Sequence, residues 1–165
     1  MNRLSGLIIL LLCGCAVPPV SENAVDKPPE MDEVNFSRPE GIIYHQGRLL
    51  VTNTNGYWNE AEKMWAYGEG FITVVDAETL EVTGKAPTSG VNPQNILLAE
   101  EQFVVVESGS AKFDEQWTMR PEEPGRIDFF SLDLTPIDSL AIPNGLPIEL
   151  AGMPGSSALN PTGDR

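Results

Sequence analysis

The chain has 165 residues, 41% of them hydrophobic, and carries 24 acidic against 10 basic side chains, a formal net charge of −14. That length fits one domain. The acidic excess argues against nucleic acid, which needs clustered Lys and Arg at its phosphates, and against charge-driven adsorption to anionic lipid.

Asn2-Arg3 is a short positive start, and residues 4–12 form an apolar run of signal-peptide length, too short to span a bilayer. Leu12-Cys13-Gly14-Cys15 follows. This tetrad resembles a bacterial lipobox, although Cys13 stands where Ala, Ser or Thr is commoner. The resemblance implies a lipoprotein signal peptide over residues 1–14 and an acylated Cys15 as the new first residue. It also implies membrane attachment through that lipid. Ala16, where Asp would signal inner-membrane retention, implies the outer membrane in a Gram-negative host. The chain has no further cysteine, so the mature form is expected to lack disulfides and Cys-based metal sites. Residues 15–37 hold Pro18, Pro19, Pro28 and Pro29 with several acids and no apolar periodicity. They are expected to be an extended, mobile tether.

From Arg38 the pattern becomes that of short strands. Residues 41–44 and 49–52 flank a turn at His45-Gln46-Gly47-Arg48. After an insert, residues 71–75 and 81–85 flank the polar turn Asp76-Ala77-Glu78-Thr79, where Asp76 is expected to bond the backbone ahead of it. The order then returns with strands at 93–98, 103–106, 126–130 and 137–142. Pro39 recurs as Pro93, Ile42 as Ile96 and Ile72 as Ile127, a period of about 54 residues. Such a repeat of four short strands predicts an all-β chain built as an incomplete β-propeller of four-stranded antiparallel blades. The units would be 38–92, 93–146 and the start of a third at 147–165, where Pro154 opens a strand-like stretch. A propeller closes with roughly four to eight blades. The chain is therefore expected to be a fragment of a longer propeller that folds poorly or associates when isolated.

Leu50-Val51-Thr52-Asn53, the Gly70 to Thr79 run GFITVVDAET, Gly125-Arg126-Ile127-Asp128-Phe129-Phe130-Ser131 and the turn at Leu159-Asn160-Pro161-Thr162-Gly163-Asp164-Arg165 carry a resemblance to the YVTN-type β-propeller repeat family. The second unit departs from it, with Val105-Val106-Glu107-Ser108 in place of the tetrad. The resemblance implies the propeller fold and leaves activity open. The repeat of quinone-dependent dehydrogenases is less similar, because Leu80 stands where that repeat has Gly and no Trp follows Lys85.

Two inserts, residues 57–69 and 111–124, hold all three tryptophans. Tyr57, Trp58, Trp65, Tyr67, Phe113 and Trp117 are the candidate ligand-binding residues, interleaved with acids, because aromatic rings supply large contact area. The alternative is that they cover the ends of the strands. In a propeller both inserts and the connector at 143–153 should decorate one face. Trp58, Ala61 and Trp65 lie at helical spacing, which predicts a helical turn in the first insert. The lone histidine, His45, reads as a solvated turn residue, and a multi-His metal site is excluded. Asn53, Asn55, Glu107 and Asp114 offer oxygen atoms near strand ends but no contiguous calcium loop. Ser108 lacks the flanking glycine pattern of a hydrolase elbow, and no phosphate-cradling loop or cofactor signature is present. The reading that follows is a lipid-anchored extracytoplasmic module that binds a protein or envelope ligand. The other reading is part of a propeller enzyme, such as a lactonase-like hydrolase, whose catalytic residues lie in blades absent here.

Overall fold

The computed structural model describes residues 28–142, apart from 114, 115 and 117. Every regular element among them is a strand, and the all-β expectation holds. Strands β1 (Pro39–His45), β2 (Arg48–Asn53), β5 (Glu69–Asp76) and β6 (Val82–Val91) form an antiparallel sheet in the order β1-β2-β5-β6, here sheet 1. Strands β7 (Pro93–Ala99), β8 (Gln102–Glu107), β11 (Arg126–Ser131) and β12 (Pro136–Ala141) form sheet 2 in the order β7-β8-β11-β12. The inserts are two-stranded ribbons, β3 (Gly56–Asn59) with β4 (Met64–Tyr67), and β9 (Ser110–Phe113) with β10 (Met119–Glu123). The expected third unit, the lipobox and Cys15 lie outside the described residues.

Turn chemistry sets the registers. Gln46 and Gly47 both have positive φ, 48° and 79°, so β1 and β2 join through a two-residue turn whose twist matches the strands. Asp76 Oδ1 accepts from the N–H of Glu78 (2.9 Å) and Thr79 (2.8 Å), as expected of a turn-forming acid. The following residue, Leu80, is held at φ 62°, a conformation that costs a branched side chain energy. Its equivalent in sheet 2 is Leu134, at φ 66°.

Side chains alternate across each sheet, so each has two faces. On sheet 1, face A carries Val51, Asn53, Phe71, Thr73 and Lys85, and face B carries Leu50, Ile72, Val74 and Ala86. Face B packs on sheet 2. There it meets Ile96, Phe103, Val105 and Phe130, and together these side chains make the core. Burying each of the larger ones contributes about 2–3 kcal/mol. β1 and β2 lie against β7, and β6 lies against β11. The backbones of β1 and β7 come close at Gly41. A Cβ there would fall 2.9 Å from both Asn95 Cα and the Gln94 carbonyl oxygen. Thr52 fixes the same point, accepting from the Gly41 N–H at 2.8 Å.

Face A of sheet 1 is covered by residues 28–37. Thr73 Oγ1 donates to the Asn35 carbonyl at 2.6 Å, and the Lys85 ammonium donates to the carbonyls of Met31 (2.7 Å) and Val34 (2.6 Å). The Ser37 N–H donates to Asn53 Oδ1 at 2.9 Å. The expectation of a mobile tether is therefore corrected for these residues. Although the stretch lacks apolar periodicity, it is seated as a strap, held through its own backbone, a feature no side-chain pattern encodes.

His45 is not a solvated turn residue. It ends β1 on face B, with its ring edge-on to Phe103 of sheet 2 at 5.3 Å, and its Nε2 is buried without a partner. The β1–β2 hairpin is pinned across the sheets as well, because Arg48 Nη2 donates to the Leu132 carbonyl at 2.8 Å.

Candidate functional site

The first insert is a β-ribbon and not a helical turn. Asn59 Oδ1 accepts from the N–H of both Ala61 (3.0 Å) and Glu62 (3.1 Å), and Lys63 adopts φ 54°. That side-chain-capped reversal folds the chain back, so Trp58 sits directly opposite Trp65 as a cross-strand pair. Seven-residue spacing suits a hairpin as well as it suits two helical turns, and the Asn decides between them.

The two indoles meet edge to face, with centroids 5.9 Å apart and planes at 78°. They are 40% and 49% exposed, so they do not close over the strands. Arg38 places its guanidinium 3.9 Å from the centre of the Trp65 ring. Its backbone is in the left-handed region at φ 52°, held there by Thr54, whose N–H donates to the Arg38 carbonyl at 3.1 Å and whose hydroxyl donates to it at 3.3 Å. Tyr67 lies against Gly56 on the same face of the ribbon, and Tyr57 is half-buried on the other.

Lys112 of the second ribbon lies 2.9 Å from Glu62 and 2.7 Å from Glu122. Hydrogen bonds to those two acids raise its pKa. The Lys112–Glu62 pair links the two inserts, which lie side by side. Both ion pairs are exposed, and so contribute little energy of their own. Phe113 ends β9, and Trp117 lies outside the described residues, so neither is assigned to the aromatic face.

A second cluster is only faintly visible in the sequence. Glu107 and Asp128 are 0% and 2% exposed, on face A of sheet 2 where β6 of sheet 1 crosses it. Ser89 of β6 donates its N–H to Asp128 Oδ2 at 2.7 Å and its hydroxyl to Oδ1 at 2.5 Å. Neither oxygen of Glu107 closes a hydrogen bond of good geometry, although the Thr88 hydroxyl and the Arg126 charge lie near enough to pull its pKa down in part. The Glu107 carboxyl faces Asp128, and one proton between them turns a repulsive contact into a hydrogen bond. Burial, then the hydrogen bond and charge of Asp128, push the Glu107 pKa up to about 9. Burial pushes Asp128 up too, but hydrogen bonds from Glu107 and Ser89 outweigh it and leave Asp128 below its ordinary value. Glu107 is therefore the neutral partner at pH 7. Gly90 leaves room here, because a Cβ would displace the Glu107 carboxyl. Beside the pair lies a cavity of about 290 Å³ lined by Glu69, Thr88, Ser89, Asp128 and Ser139, among others.

The oxygen donors considered for calcium do not assemble. Asn53 spends its amide on the Val51 carbonyl (3.0 Å) and Thr73 Oγ1 (3.0 Å), and Asn55 donates to the Glu69 carbonyl at 3.0 Å. Asp114 lies outside the described residues, among which no group of three or more His, Cys, Asp or Glu could hold a metal ion. No protein-family model and no curated protein matches the chain.

Proposed function

We propose that the chain is a lipid-anchored, extracytoplasmic β-propeller module that binds a protein or cell-envelope ligand through its insert ribbons. The observation that carries this reading is the Trp58–Trp65 pair, half-exposed and pre-positioned by Arg38 and by the Asn59 turn. Rings fixed in advance lose little entropy on binding. The propeller part of the reading is supported by two four-stranded antiparallel sheets of the same connectivity, stacked with first strand near first strand. The anchor rests on the tetrad ending at Cys15.

Retention on the source cell's envelope fraction tests the binding face. The Trp58→Ala, Trp65→Ala double variant should lose retention by tenfold or more while melting within about 1 kcal/mol of the parent. Equal retention would sink the reading. Mass spectrometry of the exported protein should find a diacylglyceryl group on Cys15, and Cys15→Ser should release the chain from membranes.

A further inference from the structure

The two sheets stack with the same polarity, face B of sheet 1 on face A of sheet 2, and among the described residues no further sheet packs on face A of sheet 1 or on face B of sheet 2. On face A of sheet 1 the strap reaches across β6, β5 and β2, where Val51 and Asn53 are buried, and leaves β1 open. Ile42 and Tyr44 of β1 remain 58% and 64% exposed. Their counterparts in sheet 2, Ile96 and Leu98, belong to the intersheet core. On face B of sheet 2, Leu97, Val104, Val106, Ile127, Phe129 and Leu140 stand where sheet 1 has Ile43, Leu50, Thr52, Ile72, Val74 and Ala86. The sheet 1 set is packed into the core. In sheet 2 the central Val104 is buried, but Leu140 is 56% exposed, and Leu97, Val106, Ile127 and Phe129 are only half-buried.

We propose that these two surfaces fit each other in a second copy of this chain. Face B of sheet 2 in one copy docks on face A of sheet 1 in the next, with Ile42 and Tyr44 entering as Ile96 and Leu98 do within the chain. The intersheet contact already present is the template, and the matching surface is the chain's own. The contact is head to tail, so it adds copies until a ring closes or a filament grows. The strap limits it, because Lys85 and Thr73 hold residues 31–35 over part of the surface an incoming sheet would cover.

Sedimentation velocity on the full chain, carrying Cys15→Ser to remove any acyl group, tests this. The average mass of the parent should rise with concentration. Ile42→Glu and Leu140→Glu both alter exposed side chains and should melt like the parent. Each should weaken association at least tenfold. Mixed in equal amounts they should form a one-to-one dimer and nothing larger, because each retains the surface the other has lost. A variant at Tyr44, Tyr44→Glu, should pair with Leu140→Glu in the same way. A parent that stays monomeric at every concentration overturns the proposal, as does association indifferent to both substitutions or a mixture that fails to pair. Association gained only on deleting residues 143–165 would also overturn it, since the chain's own end would then be the occupant of face B.

Discussion

Face A of sheet 1 and face A of sheet 2 have the same place in the fold and solve the same problem with different chemistry. In sheet 1 the polar positions are Asn53, Thr73 and Lys85. Each is bonded to backbone or to its neighbour, and the strap supplies much of the partnering. In sheet 2 the same positions hold Glu107, Asp128 and Ser139, and the covering chain is β6, which offers Ser89. The Asn53 amide, the Thr73 hydroxyl and the Lys85 ammonium all carry donors for the carbonyls they face, so sheet 1 closes its network without an added proton. Two carboxylates can only accept, so sheet 2 must hold a proton. The difference teaches that an equivalent fold position can be pH-indifferent in one sheet and pH-dependent in the other.

The largest effect should come from removing the acid. Glu107 keeps its proton in the folded chain, with a pKa raised from 4.5 to about 9. Its contribution to stability is therefore whole below about pH 4.5 and is lost progressively as pH rises towards 9. Asp128 runs the other way. Its folded value lies below 3.8, so its contribution is present above that pH and is lost as pH falls through the lowered value. Glu107→Gln should flatten the alkaline limb of a denaturant-midpoint profile. It should also stabilise the chain at pH 8 by several kcal/mol, because holding the acid neutral costs about 1.4 kcal/mol for each pH step above its unfolded value. An unchanged alkaline limb would break the comparison.

The converse experiment puts an acid into sheet 1. Asn53→Asp removes the amide donor to the Val51 carbonyl and Thr73 and sets a carboxylate beside peptide carbonyls. It should destabilise at pH 7 by about 3 kcal/mol and by less at pH 4, read from urea unfolding at both values. A smaller loss, about 1–2 kcal/mol, should follow Lys85→Met, which strands the carbonyls of Met31 and Val34. Amide exchange within residues 31–37 should then quicken while the sheet 2 core stays protected. Smallest is a gain. Leu80 is 50% exposed at φ 62°, so Leu80→Gly should stabilise by about 1 kcal/mol in thermal melts.

That last site shows how sequence and structure meet. The quinone-dependent repeat has glycine where this chain has Leu80, and the backbone at that position is indeed left-handed. The eight sheet strands are legible because β-branched runs punctuated by Gly, Asn and Asp report alternation and turns. The ribbons are not, because Trp58 and Trp65 fit two periods and only the Asn59 hydrogen bonds choose. The strap is hidden because its contacts are made by backbone carbonyls. The acid pair is visible in principle. Asn53 to Glu107 and Thr73 to Asp128 are changes at the repeat spacing, and both replace a neutral group by a carboxyl. Their meeting in a buried seam becomes apparent only once the sheets are stacked.

A neutral carboxyl in the seam between the sheets underlies all of this, and its titration is the most direct test. In carbon-detected NMR of the full chain, the Glu107 side-chain carboxyl should titrate with a midpoint near 9 and remain protonated at pH 7. A midpoint at or below the ordinary 4.5 would contradict it, since both acids of the pair would then be ionised in the folded protein.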